Sequence, residues 1–151
     1  MTIAQPASGT DLTSTFGRLA EAYAVVERRL GRELEETCGL PHTWFEVMLR
    51  ISRTEGGLAS MGALAGQVAL TTGGITRMVD RMIATGYVER VPCPSDRRVV
   101  YAALTQTGMA KLDEARRVNE AGLRAAFAGF SPEQLHQLDG LLDQLRGIGQ
   151  E

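Results

Sequence analysis

Apolar positions recur along this chain at helical spacing. Leu12, Phe16, Leu19, Tyr23, Val26, Leu30 and Leu34 fall at threes and fours, which predicts a long helix from Leu12 to about Thr37 with a narrow apolar seam. Gly39 stops it, and Pro41 suits the first turn of a second helix, where a missing N–H costs nothing. That helix, His42 to about Thr54, is apolar nearly all round through Trp44, Phe45, Val47, Met48, Leu49 and Ile51. It is therefore expected to be the buried centre of the fold. Glu55-Gly56-Gly57 breaks it, and Leu58 is placed to form a small strand.

The stretch from Ser60 to Gly108 reads as helix, short link, helix and hairpin. Ser60 and Thr71 are cap-type residues whose side chains accept from the free amides of a first helical turn. After Thr71, the residues Ile75, Met78, Val79, Met82 and Ile83 gather on one face, and Thr72, Thr76, Arg77, Asp80 and Arg81 on the other. Two capped helices so closely joined predict a helix-turn-helix, whose second helix, residues 71–85, lies in a DNA major groove. Gly86 ends that helix. Tyr87–Val91 and Val99–Leu104 are strand candidates. Between them Pro92-Cys93-Pro94-Ser95-Asp96-Arg97-Arg98 is turn chemistry, because proline cannot donate to a ladder. A hairpin behind the second helix is a wing, here with two adjacent arginines near its tip.

Beyond the wing, Thr105 is a plausible cap for a helix to about Gly129, with a loose stripe of Leu112, Ala115, Val118, Leu123, Ala126 and Phe127. Ser131-Pro132-Glu133-Gln134 is a helix start with a first-turn proline and a glutamine spaced for a capping box. The last helix then aligns Leu135, Leu138, Leu141, Leu142, Leu145 and Ile148. A leucine stripe near a terminus needs a partner, and a second copy of the chain is the expected one. The fold class is thus mainly α with a small β wing: a winged helix-turn-helix at 41–104, a helical dimerisation region at 11–40 and 105–151, and a mobile arm at 1–10.

Charge sharpens the picture modestly. The 151-residue chain carries a formal charge of −2, yet residues 53–98 hold six arginines against four acids while both flanks are acidic. The positive excess coincides with the reading head. No apolar run approaches the roughly 20 residues of a membrane span and no signal-peptide pattern opens the chain, so a cytoplasmic location without membrane contact is the expectation.

Thr76-Arg77, Asp80-Arg81, Gly86-Tyr87-Val88, Arg90, Asp96-Arg97-Arg98 and Leu104-Thr105-Gln106-Thr107-Gly108, in that order and spacing, resemble the MarR-type transcription regulators. The wing of that family carries Asp-x-Arg, then Leu-Thr-x-x-Gly after a strand. The resemblance covers nearly all of the chain beyond its first ten or so residues. It implies a homodimer, an inverted-repeat operator in double-stranded DNA, Arg98 in the minor groove, and in most cases repression released by a small, often aromatic ligand.

The residues themselves suggest roles beside that resemblance. At the start of the reading helix Thr71, Thr72, Gly73 and Gly74 allow the backbone close to phosphate, where free amides favour an anion. Each glycine costs a helix roughly 1 kcal/mol against alanine, so close approach to DNA or tight packing against the preceding helix is needed to explain them. Thr72 and Thr76 suit a thymine methyl or a base edge, and Arg77 a bidentate guanine contact. Asp96 is expected to fix Arg98, or Arg77 across the gap. Arg81, Arg90 and Arg97 are expected at phosphates, although Asp80 and Arg81 read equally as solvated surface. Phe16, His42, Trp44 and Met48 are the ligand-pocket candidates, against a plain core role for each. Cys93 in the wing raises a thiol-based redox switch as an alternative, but neither a helix N-terminus nor a base nearby is expected to lower its pKa, and Cys38 is distant in sequence. A further alternative is a dimer of this fold that acts through protein contacts without DNA. No metal-ligand spacing, nucleophile elbow or phosphate loop appears, so neither an enzyme nor a metal or cofactor site is expected.

Overall fold

The computed structural model describes residues 11–67 and 72–147. Helix α1 runs Leu12–Cys38, opened by Asp11, whose carboxylate accepts from the Thr13 amide at 3.0 Å. It closes at Gly39 in the left-handed region (φ 62°), whose amide donates to the Glu35 carbonyl. Helix α2 is His42–Arg53. Pro41 sits at its cap, one place earlier than expected, and its carbonyl takes the amides of Trp44 and Phe45. A 3-10 turn at Glu55–Gly57 leads to strand β1, Ala59–Ser60. The small strand therefore lies just after Leu58, because Gly56 and Gly57 both adopt positive φ and turn the chain there first.

Helix α3 is Met61–Gln67, with Ser60 Oγ accepting from the Ala63 amide at 3.2 Å as a cap should. Helix α4 is Thr72–Thr85. The expected cap at Thr71 and the arm at 1–10 lie outside the described residues, as does Ile148. Strands β2 (Val88–Pro92) and β3 (Val100–Leu104) form the hairpin, and β3 also pairs with β1, giving an antiparallel sheet in the order β1-β3-β2. Pro92 ends the edge strand, where a missing donor costs no ladder bond. Helices α5 (Gln106–Ala126) and α6 (Pro132–Gly147) complete the chain. The capping box before α6 is formed: Ser131 donates its amide to the Gln134 side chain at 2.9 Å and its hydroxyl accepts the Gln134 amide at 3.2 Å.

The core gathers around α2. Val47, Met48 and Ile51 are sealed there with Leu34 and Leu40, with Leu64 of α3, with Ile75, Val79 and Met82 of α4, and with Leu112 and Ala115 of α5. Helix α5 packs along α1, closely enough at Gly122 that a Cβ there would strike Leu30 and Glu33. The seam predicted for α1 is buried only in its second half. Leu30 and Leu34 enter the core, whereas Leu12, Phe16, Leu19 and Tyr23 stay exposed. At 27 residues α1 is about 40 Å long, so its first half projects beyond the body of its own chain. Helix α6 likewise makes no substantial contact with the other described elements, and Leu141 and Leu145 face solvent.

Platform and head meet at the start of α5. The Thr105 amide donates to the Tyr87 carbonyl at 3.0 Å, and the Thr105 hydroxyl donates to the Gly86 carbonyl while accepting the Gly108 amide at 3.0 Å. A Cβ on Gly108 would collide with the Tyr87 carbonyl, which is backbone and cannot swing aside. Gly108→Ala is therefore expected to cost about 1–3 kcal/mol by overpacking. At fixed protein concentration this reads as a melting temperature lowered by roughly 2–4 °C per kcal/mol. An unchanged melting temperature would show that α5 can slide away from Tyr87 freely.

Candidate nucleic-acid interface

Helix α4 presents two faces, as its spacing requires. Ile75, Val79 and Met82 are fully buried, with Met78 and Ile83 packed against the core, and Gly73, Arg77, Asp80 and Arg81 are exposed on the other side. Thr72 begins the helix and Thr76 is half-buried. The Arg77 side chain folds back toward the helix start, as helical side chains do, and its Nε donates to the Gly73 carbonyl at 3.3 Å. Arg81 reaches back in the same way toward the Arg77 carbonyl at 3.5 Å. Among the described residues a Cβ on Gly73 would meet only the Arg77 guanidinium, at 4.0 Å. No described residue other than Arg77 crowds that glycine.

The wing tip is closed by two backbone bonds, Cys93 N–H to the Val99 carbonyl and Val99 N–H to the Asp96 carbonyl, each 3.0 Å. Asp96 turns the tip and then holds Arg98. Its carboxylate accepts the Arg98 amide at 3.0 Å, Nε at 3.1 Å and Nη2 at 3.2 Å. Arg98, first through its side chain and then through its amide, keeps the Asp96 carboxyl below the usual carboxylate range. Of the two partners proposed for Asp96 from sequence, the structure shows Arg98; Arg77 is engaged with Gly73. The guanidinium of Arg98 is nonetheless 90% exposed. A bidentate pair fixes its plane and leaves its remaining N–H groups accessible to solvent. Arg97 beside it is exposed as well. Arg90 differs in that it is only half exposed and its guanidinium is engaged by an acid of another element, Asp80 of α4.

The four ligand-pocket candidates do not come together within one chain. Phe16 is 71% exposed on the projecting half of α1. His42 packs at Gly31, about 22 Å further along the same helix. His42 is tilted against Phe45, with Glu27 within 3.9 Å of its Nδ1. Trp44 stands edge-on to Tyr87 at 6.4 Å between ring centres, and Met48 is fully buried in the core. Sequence reading missed a separate cavity of about 340 Å³ between the end of α2, the 3-10 turn, β3 and the start of α5. Ile51, Ala103, Leu104, Met109 and Leu112 give it apolar walls, and Ser52, Asp113 and Arg116 stand at its edge. Arg116 donates to Ser52 Oγ at 2.9 Å and pairs with Asp113 at 3.3 Å. The signal in sequence was an arginine in the apolar stripe region of α5, which helical spacing alone assigns to solvent.

The cysteines correct another expectation. Cys93 lies beside Ser95, Sγ to Oγ 3.2 Å. The Ser95 hydroxyl, followed by the Ser95 and Asp96 amides, pulls the thiol below its ordinary value. The tight turn supplies the donors that neither a helix end nor a base was there to give. Cys38 is buried at the end of α1, where desolvation and then Glu114 push its pKa up. Among the described residues no cluster of His, Cys, Asp and Glu is arranged to hold a metal, and no described helix is long and apolar enough to cross a membrane.

This geometry has close counterparts. A sequence model described as MarR family matches residues 39–99, which span the second helix, the helix-turn-helix and the first strand and tip of the wing. An uncharacterised HTH-type transcriptional regulator of Bacillus subtilis (strain 168), YkoM, is 32% identical over 124 residues, covering 82% of this chain and 78% of its own. The crystal structure of AbsC, a MarR family transcriptional regulator from Streptomyces coelicolor, superposes with a TM-score of 0.76 at 26% identity over 91% of this chain and 97% of that one. A second MarR family regulator from the same organism, solved in complex with DNA, gives 0.78 at 26% identity over 89% and 85%. These proteins are transcriptional regulators rather than enzymes. With the family pattern matched across the head and a relative matched across most of the length, the chain belongs to the MarR family of transcriptional regulators.

Proposed function

We propose that this chain is a homodimeric repressor that reads an inverted-repeat operator, with α4 in the major groove and the 92–98 wing in the minor groove, and that a small ligand releases it. The observation that carries the DNA reading is the wing tip. Arg98 is held in one orientation by three bonds to Asp96 and is still 90% exposed, which suits a narrow groove that concentrates negative potential. Arg77, on the exposed face of α4, is the base reader, and Arg97 and Arg81 serve phosphates.

A dimer follows from what one chain leaves uncovered. Phe16, Leu12 and Tyr23 on α1 and Leu141 and Leu145 on α6 are more than half exposed, an apolar extent that a soluble surface rarely leaves open. A second copy covers them and sets two heads about 34–36 Å apart, one turn of duplex. The reading as a protein-contact dimer without DNA is disfavoured because the head keeps its exposed arginines. Such a dimer would show no steep fall of duplex affinity with salt, which counterion release requires of a DNA reader.

Effector response is best seated in the cavity edged by Arg116 rather than at Phe16, His42, Trp44 and Met48, since that cavity bridges α5 and the base of the wing. An apolar pocket with a guanidinium at its rim suits a small aromatic carboxylate that takes the place of Asp113 on Arg116. Binding releases DNA only if it favours one arrangement of head and platform over the other. A second reading, redox control through Cys93, is favoured by its lowered thiol pKa. It is tested by alkylation, in which Cys93 should react at lower pH than buried Cys38; equal pH profiles would remove it.

On a duplex selected by the parent protein, Arg77→Ala and Arg98→Ala should each weaken binding about 5- to 150-fold. Arg97→Ala should weaken it evenly across sequences and reduce the salt slope by about one. Retention of parental affinity by both Arg77→Ala and Arg98→Ala would overturn the reading. For the effector, benzoate should dissociate the parent complex, and Arg116→Ala should need about tenfold more of it. Equal sensitivity would show that Arg116 is not the anchor.

A further inference from the structure

The reading helix and the wing are joined by an ion pair that the DNA reading does not use. Asp80 stands three residues beyond Arg77 on the exposed side of α4, and Arg90 Nη2 reaches its Oδ1 from the third residue of β2. The pleat explains the reach. Alternate residues of a strand share a face, so Arg90 lies on the side of Val88, which is buried against the core, and Glu89 lies on the other.

Stability does not account for the pair. Both side chains are half exposed, 50% and 51%, and exposed pairs are worth about 0–1 kcal/mol. Nor does surface chemistry account for Asp80, because an acid beside Arg77 repels the phosphates that this face is meant to approach. Its location is informative. The chain passes from α4 to β2 through Gly86 and Tyr87 alone, and Gly86 is at φ 87°. Thr105 fixes the hairpin at this base. Arg90 lies two residues nearer the tip than Val88, and its cross-strand partner Ala102 pairs in turn with Ala59 of β1, so the ion pair ties α4 to the hairpin close to where it leaves the three-stranded sheet and runs on as two strands.

We propose that Asp80 and Arg90 are positioning residues: their pair sets the tilt of the wing on the reading helix, so that Arg98 meets its groove while Arg77 meets the neighbouring one. Arg90 on this view neutralises Asp80 and does not contact phosphate. The inference rests on the DNA reading above.

The test uses the full chain and a duplex selected from a random-sequence pool by the parent protein. Asp80→Ala and Arg90→Ala should each weaken binding about tenfold, and the double variant should be no weaker than either, since both remove one interaction. The two single variants should share one salt slope, and lost protection in a hydroxyl-radical footprint should be confined to the wing-contacted flanks. In an Arg98→Ala background, Asp80→Ala should cost less than about twofold, because the tilt then has nothing to deliver.

Three results overturn the proposal. One is a stronger complex in Asp80→Ala, the mark of an acid that merely repels DNA. The second is a salt slope lower by about one in Arg90→Ala than in Asp80→Ala, the mark of a phosphate contact by Arg90 itself. The third is additive losses for the two changes, or an undiminished Asp80→Ala effect without Arg98. A parent chain that enriches no duplex at all would instead overturn the DNA reading beneath it, so the two failures are distinguishable.

Discussion

Thr105 is the point at which three parts of this molecule are made into one. Its amide and hydroxyl serve the carbonyls of Tyr87 and Gly86, the link between reading helix and wing, and its oxygen caps α5 through the Gly108 amide. Gly108 is required beside it because the Tyr87 backbone occupies the space of a side chain. Each such bond contributes about 0.5–1.5 kcal/mol, and together they tie the link to the platform at one residue. The joint lies beside the cavity that Leu104, Met109 and Leu112 help to line.

The elements of this fold were legible because local rules and global packing agree. Ser60, Thr105 and Ser131 cap helices as their spacing suggested, and the buried face of α4 follows its apolar period. The seam of α1 shows where such reading stops. Leu12 and Phe16 belong to the same period as Leu30 and Leu34, yet only the latter pair is buried. Periodicity reports that a face needs covering and is silent on which chain covers it. Pocket residues were harder for a similar reason. Phe16 and His42 share a neighbourhood in any list of aromatic residues, and a rigid helix keeps them about 22 Å apart.

The wing divides the same way. Asp-x-Arg in a turn was readable, because an aspartate two residues before an arginine can accept both its amide and its guanidinium. The partner of Arg90 was not, since Asp80 lies ten residues away across a helix–strand corner whose geometry depends on Gly86. The lowered pKa of Cys93 escaped notice because its donors are backbone amides and a hydroxyl made convergent by the turn itself.

Pairing also resolves the tension between a net charge of −2 and a surface for a polyanion. On the platform Arg29, Lys111, Arg116, Arg124 and Arg146 each pair with an acid three or four residues away along the same helix. Charges cancelled at 2.5–3.3 Å leave little field beyond a Debye length of about 8 Å. On the head no such pair is seen among the described residues for Arg77, Arg81 or Arg97, and Arg98 meets its acid while remaining open to solvent. An approaching phosphate backbone therefore meets an excess of cationic potential at α4 and the wing, on a molecule whose total charge repels it. Six arginines against four acids in residues 53–98, with Arg98 open to solvent despite its acid, give the head its sign.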